Sequence, residues 1–399
     1  MLRGKGRKWL KLIIIFIAFC WSGWPPVWAK GNRIRIGATV SATGHFATEV
    51  GPFRRLFKAW ADQVNRDGGI FLKGKGKKVP VDVVLYDDQS RVPVVTRYYE
   101  RLIQKDGVDF LVGPYSSPLT FAATIPAEKS GIPFLAVCAN SPKIYNRGFA
   151  WVAGVIDLAP RYTYRYWDMV KEEGKARSVA FVVEDTMHPR GVYKGSRDLA
   201  EKAGLEVRMA EIVPPDAHDF TGLIARLKKA GADIVYVSSN IPLAISFMKQ
   251  AREKGLRAKE FHCIHHSGVF RRALGRRAEG VVGQSYWSAG MGLAGEKTFM
   301  KILKTAKIQA DDYPWAPAYM CAFQIIKAVF ERAGTMDKAH VMKALKAGTF
   351  RTLCGVDRFH ETGYGEINTY PSQIQDGRYR IIWPPARATA NHIYPSGGL

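Results

Sequence analysis

Short unbroken apolar runs recur along this chain, each followed by a stretch whose apolar positions fall three and four residues apart. The clearest case is Val108–Pro142. There the run Val108–Val112 leads through a tight turn into helical spacing over Pro118–Ser130, and then into a second apolar run, Ile132–Val137. Unbroken apolar strands separated by one helix are what a parallel sheet covered on both faces requires. Upstream, strand Arg33–Val40, helix Pro52–Asn65, strand Val79–Tyr86 and helix Val92–Lys105 continue the alternation. Phe53, Phe57, Trp60 and Val64 form one stripe of the first helix, which a glycine pair at Gly68-Gly69 stops.

The pattern restarts after Asp157. Helices Arg161–Glu173, Gly191–Ala203, Phe220–Lys229 and Pro242–Lys254 precede strands Ser178–Val183, Leu205–Ile212, Asp233–Val237 and Glu260–Ile264, respectively. A third portion opens with strand Gly280–Trp287. It contains helices Ala316–Ala333 and Asp337–Lys346, and ends with strands near Gln373–Gln375 and Arg378–Trp383. The predicted fold class is α/β, with two doubly wound sheets and a returning third portion. Ligands of such sheets bind beyond the carboxyl ends of the strands, and two lobes can close on them about a hinge.

The turn Gly113-Pro114-Tyr115-Ser116-Ser117 carries the candidate chemistry. Ser117 is placed as N-cap and Pro118 as first helical residue, where its missing N–H costs nothing. The free backbone N–H groups and the positive helix end then offer a site for a carboxylate. The alternative is a plain helix cap.

Composition narrows the class. With 399 residues, of which 47% are hydrophobic, the chain can bury two cores. Residues 1–29 combine a basic start (Arg3, Lys5, Arg7, Lys8, Lys11), an apolar Leu12–Trp24 and Val27-Trp28-Ala29, the pattern of an export signal cleaved near Ala29. The competing reading is an uncleaved anchor. Setting this segment aside removes five basic and no acidic residues from a net charge of +24, leaving about +19. The basic residues are scattered and no nucleic-acid motif accompanies them, so nucleic acid is not expected as a partner. Cys138, Cys263, Cys321 and Cys354 follow no metal spacing and lie in apolar runs, so they are read as isolated buried thiols in preference to a disulfide, which an oxidising compartment allows but the sequence cannot pair. His262-Cys263-His265-His266 sits in a strand, where neighbouring side chains point to opposite faces and cannot converge on one ion. Asp87-Asp88 is read as capping a strand end. No cofactor motif and no nucleophile–base set can be assembled.

Ile36-Gly37-Ala38, Asn65…Gly68-Gly69-Ile70, Tyr86-Asp87-Asp88, the Gly113–Ser117 turn, Gly131-Ile132-Pro133 and Ile374-Gln375-Asp376-Gly377 occur in an order that resembles the periplasmic leucine/isoleucine/valine-binding proteins, the amino-acid-type receptors of ABC importers. The resemblance spans residues 34–385. It implies the type I periplasmic-binding fold, two Rossmann-like lobes joined by three hinge crossovers. The lobes would be residues 34–156 with 286–354, and 157–285 with 355–390. It also implies a small-molecule ligand and an ABC membrane permease as partners, in the periplasm.

Carried over residue by residue, Ser117, beside Ser116, matches the serine that holds the ligand carboxylate. Cys138, Ala139 and Asn140 match the stretch that offers oxygens to the ligand ammonium. His188 or Arg190, and Asn240, fall where the family often has tyrosine. His265 or His266 falls where the amino-acid binders place glutamate, and a neutral histidine supplies no negative charge. Either Glu49, Glu184 or Asp185 substitutes, or the ligand is a carboxylate, amide or aromatic acid without an α-ammonium. The family's disulfide is missing, with Ser90 and Ser116 at its two positions. Two other functions fit the same features: a ligand-sensing module for a membrane signalling partner, and a cleft hydrolase with His265 or His266 as base.

Overall fold

The protein's structure, a computed structural model, describes residues 32–396. The export-signal segment lies outside the described residues. Among these, no helix is long and apolar enough to cross a membrane.

The first sheet is parallel throughout, in the order Val81–Asp87, Ile34–Val40, Phe110–Val112, Phe134–Ala136, Val152–Gly154. The second has seven strands, ordered Arg378–Ile381, Tyr370–Gln375, Val282–Ser285, Glu260–Cys263, Ile234–Ser238, Ser178–Glu184, Glu206–Val213. Its last five in this order are parallel, and the two tail strands join antiparallel. Central strands such as Ser178–Glu184 and Ile234–Ser238 are buried along their whole length, which is why they read as unbroken apolar runs. Glu206–Val213, at the sheet edge, alternates exposed and half-buried positions instead. This is the α/β, doubly wound arrangement expected from the sequence, with element ends shifted by a few residues.

The chain passes three times between the sheets, and the three passages are bonded to one another. The Asp157 carboxylate accepts from Arg161 Nε at 2.7 Å and from Asn368 Nδ2 at 3.1 Å, and the Asp157 amide donates to the Ile367 carbonyl at 2.9 Å. Thr369 Oγ1 contacts Gln284 Oε1 at 2.9 Å and the Tyr162 carbonyl at 2.5 Å. Between the second and third passages the chain packs on the first sheet. Helix Ala316–Ala333 lays Tyr319, Phe323 and Phe330 against Phe53, Phe57, Trp60 and Phe110. The helix Glu296–Ala306, which sequence spacing did not pick out, caps the same face and receives Arg55 Nε at the Ala306 carbonyl, 2.8 Å. Strands Thr349–Thr352 and Gly355–Arg358 pair as one hairpin, so the chain leaves this region only after Arg358.

One cysteine expectation is corrected. Cys321 and Cys354 form a disulfide, while Cys138 and Cys263 are buried thiols. Local apolarity marks all four alike; only the seating of the hairpin on helix Ala316–Ala333 brings Cys354 to Cys321. The bridge closes a sequence separation of 33, for which chain entropy gives roughly 3–4 kcal/mol of stabilisation. Cys354→Ser should therefore lower Tm by several degrees in calorimetry. Equal values for oxidised, reduced and substituted protein would show that the bridge contributes nothing.

Candidate functional site

In each sheet the strand order reverses beside one strand pair, and the loops leaving that pair open a crevice. In the first sheet the pair is Ile34–Val40 and Phe110–Val112. In the second it is Ser178–Glu184 and Ile234–Ser238. The loops after all four strands meet around one cavity of about 340 Å³. His45, Phe46, Tyr115, Ser116 and Ser117 come from the first pair of loops, and Thr186, Met187, His188, Pro189 and Asn240 from the second. Cys138, Asn140, Ile156, Tyr162, His265 and Trp315 complete the inner wall, with exposed Pro215 and Asp216 at the rim.

Asp87 and Asp88 hold the first loop in place. Asp88 is buried and accepts from Thr39 Oγ1 and Ser41 Oγ at 2.6 Å each, and Asp87 accepts from Thr43 Oγ1 at 2.8 Å. In the second loop pair, Glu184 accepts from the Asn240 amide at 2.8 Å and from Asn240 Nδ2 at 2.7 Å. All three carboxylates serve loop geometry.

The serine turn is shifted by one residue from its expected register. Ser116 is the N-cap, Ser117 the first helical residue and Pro118 follows in the first turn. Ser116 holds φ at 85°, a left-handed conformation that costs a non-glycine residue about 1–3 kcal/mol and clusters at functional sites. Its hydroxyl is buried with no hydrogen-bond partner, whereas Ser117 Oγ accepts from the Ser141 amide at 3.3 Å. The first-turn amides lack intrahelical acceptors, and proline has none to offer, so Ser117 and Leu119 present the N–H groups here.

Seven of the candidate residues line the cavity: Ser116, Ser117, Cys138, Asn140, His188, Asn240 and His265. Four do not. The Ala139 carbonyl accepts from Tyr145 Oη at 2.8 Å. Arg190 points outward to an exposed ion pair with Asp185 at 2.9 Å. His266 turns to the other face of its strand end and meets the Ser372 carbonyl and hydroxyl at 3.1 Å. Glu49 is fully buried beside the start of helix Ile241–Glu253. The sequence reading missed Phe46, Tyr115, Met187, Trp315 and Asp216. Their positions in loops after strands, or just before a helix start, were the available signal.

No wall residue of the inner cavity carries a full charge. Burial drives the His188 pKa down to about 3 and that of His265 well below its ordinary value, and lifts the Cys138 thiol well above its own. The two histidines are therefore neutral, and their protons can be assigned. Asn140 Nδ2 donates to the Asp157 carbonyl at 3.1 Å, so Oδ1 faces His188 Nδ1 at 2.7 Å. An amide oxygen only accepts, so His188 carries its proton on Nδ1 and leaves Nε2 bare. His188 Nε2 lies 3.2 Å from His265 Nε2, which must then hold the proton. The bare nitrogen of His265 is Nδ1, buried without a partner. Tyr162 packs edge-on to both rings and Trp315 edge-on to His265, at 4.7 Å between centroids.

A family model described as periplasmic binding protein matches residues 33–378. The chain belongs to this family. Among curated relatives of this periplasmic binding protein is the leucine-, isoleucine-, valine-, threonine- and alanine-binding protein of Pseudomonas aeruginosa. It is 26% identical over 361 residues, covering 88% of this chain and 92% of that one. Among solved structures, the branched-chain amino acid transporter substrate binding protein of Streptococcus pneumoniae in complex with isoleucine superposes with a TM-score of 0.76. It has 18% identity, covering 91% of this chain and 100% of the other. A solute binding protein of R. palustris in complex with 4-hydroxybenzoate gives 0.75 and 19%, covering 90% and 98%. By their descriptions these relatives are binding proteins, as is the family that the chain belongs to. The type I periplasmic-binding fold expected from the sequence is the fold observed.

Glu49 gives the site a measurable pH signature. Burial lifts its carboxyl from 4.5 to about 8, only partly offset by the backbone N–H groups of Glu49 and Ile241. The folded protein thus keeps a proton that the unfolded chain releases above pH 4.5. Stability tied to the protonated form is whole below that pH and is lost as pH rises toward 8, by up to ~1.4 kcal/mol per unit. Glu49→Gln should match wild type near pH 4 and become progressively more stable than it up to pH 8. A constant difference in denaturation midpoint across this range would exclude the assignment.

Proposed function

We propose that this protein is the exported solute receptor of an ABC importer, and that it captures a small carboxylate-bearing molecule by hinge closure. The ligand class is an amino acid, an amide, or an organic or aromatic acid. The observation that carries this reading is the cavity of about 340 Å³ between the strand ends of both sheets, with the unpartnered Ser116 hydroxyl at a helix start on its wall. The volume lies at the small end of ligand pockets. A carboxylate there meets the Ser116 hydroxyl, the Ser117 amide and the positive end of a 14-residue helix.

In this reading Cys138, Asn140, His188, Asn240 and His265 shape the remainder of the pocket. The lobes take the bounds 34–156 and 157–285, completed by the returning segments, with the last crossing placed after the hairpin that ends at Arg358. The bonded passages at Asp157, Gln284 and Asn368 would serve as the hinge. The protein would work in the periplasm and deliver its ligand to a membrane permease. The similarity to a leucine-, isoleucine-, valine-, threonine- and alanine-binding protein and to proteins in complex with isoleucine and 4-hydroxybenzoate supports the ligand range.

A thermal-shift screen over amino acids, amides and organic acids tests the proposal. A ligand at a hundredfold excess over its Kd stabilises the native state by about 2.7 kcal/mol. Ser116→Ala should weaken the best ligand roughly 10- to 100-fold, the worth of a hydrogen bond to a charged group. A screen in which no carboxylate raises Tm would sink the receptor reading.

A further inference from the structure

Glu49 is enclosed by groups from both sheets. Its short helix, Ala47–Val50, belongs to the loop after strand Ile34–Val40, and the residue is fully buried. That helix packs against helix Ile241–Glu253 of the second sheet's layer, whose first backbone N–H donates toward the Glu49 carboxyl.

The titratable and charged groups around this carboxyl come from each element packed there. Glu184, at the end of its strand, acts on it as a like charge, and is itself held by the Asn240 amide, Asn240 Nδ2 and the Thr186 hydroxyl. The Gly113–Ser117 turn brings the Tyr115 phenol, which Glu49 acts upon. On the loop of Glu49 itself, His45 is exposed and packs edge-on to Phe46. Helix Ile241–Glu253 presents backbone N–H here, since its first charged side chain is Lys249. Among the described residues no cation acts on Glu49. A carboxylate so placed loses its water and gains only a negative neighbour, so its charged form is costly. Glu184 and the helix that helps to cover it belong to the second sheet's layer, which hinge opening would carry away.

We propose that closure of the two lobes takes up one proton at Glu49, which makes the proton a co-ligand of the closed receptor. The proposal rests on the receptor reading above and adds a regulation to it. In the open arrangement water reaches the carboxyl, which ionises in its ordinary range; in the closed one burial lifts it to about 8. The closed form thus keeps a proton that the open form releases above pH 4.5. Closure is favoured most below that pH and weakens by up to about tenfold per unit as pH rises toward 8. Ligand and proton favour the same arrangement, so each strengthens the binding of the other.

Cys138 reports opening without any ligand. Its buried thiol lines the cavity, Cys263 lies in the core of the second sheet's layer, and Cys321 and Cys354 are bridged. Reaction of the full exported protein with dipyridyl disulfide, followed by peptide mass spectrometry, gives the rate at Cys138. Dividing by the rate for Glu49→Gln at the same pH removes the reagent's own pH dependence. The ratio should be near one at pH 4 and rise roughly tenfold or more by pH 7, with Cys263 slow throughout. Small-angle scattering should show wild type expanding over this range and Glu49→Gln unchanged, and the wild-type series stands even if the variant does not fold. A flat ratio with Cys138 reacting overturns the proposal while the receptor reading stands. Cys263 reacting in step with Cys138 reports unfolding instead of a hinge, and overturns it as well. No reaction at Cys138 at any pH, with constant dimensions, removes the hinge and both readings with it.

Discussion

The bonding of three separate chain passages around Asp157 is the constraint on which the rest of the structure depends. A parallel sheet places all its carboxyl-end loops on one side, but nothing in one sheet aims that side at another. Here the Asp157 carboxylate, Asn368, Thr369 and Gln284 tie the three passages into one polar knot. The knot holds the two sheets so that the loops of one switch point face those of the other. Most of these groups are buried and they come from three separate parts of the chain, so losing one member strands the others at about 1–3 kcal/mol each.

The cavity that results works through neutral polar groups. Burial keeps His188 and His265 uncharged and the Cys138 thiol protonated, so charge on a ligand must be met by oriented dipoles. The start of helix Ser117–Ser130 is the strongest of these, and Ser116 accepts a left-handed backbone to present its hydroxyl there. The Asn140–His188–His265 chain runs between the loops of the two sheets, so the same contacts that set the proton positions also bridge the halves of the site. Glu49 belongs to this picture from behind the wall. It is a carboxyl from the first sheet's loop pressed toward the start of a helix of the second sheet's layer, and its burial makes it hold a proton at neutral pH.

Local pattern alone determined a good deal. The unbroken apolar runs and intervening amphipathic spacing specified two doubly wound sheets, because strand burial and helix periodicity are properties of contiguous residues. Placing Ser117 beyond a strand end was enough to put it on the cavity wall, while Asn140, His188 and Asn240 were picked out by the resemblance to the binding-protein family and line the same cavity. What the tertiary structure decided were choices between neighbours and pairings across distance. His265 lines the cavity and His266 does not, because one residue of register at a strand end reverses the face. Arg190 lies on the outer side of its helix start, two residues from His188 on the inner side. The Cys321–Cys354 bridge, the burial of Glu49 and the proton order of the histidines each require groups from distant stretches to meet. A linear pattern encodes which residues can be buried, but not which buried groups will face one another.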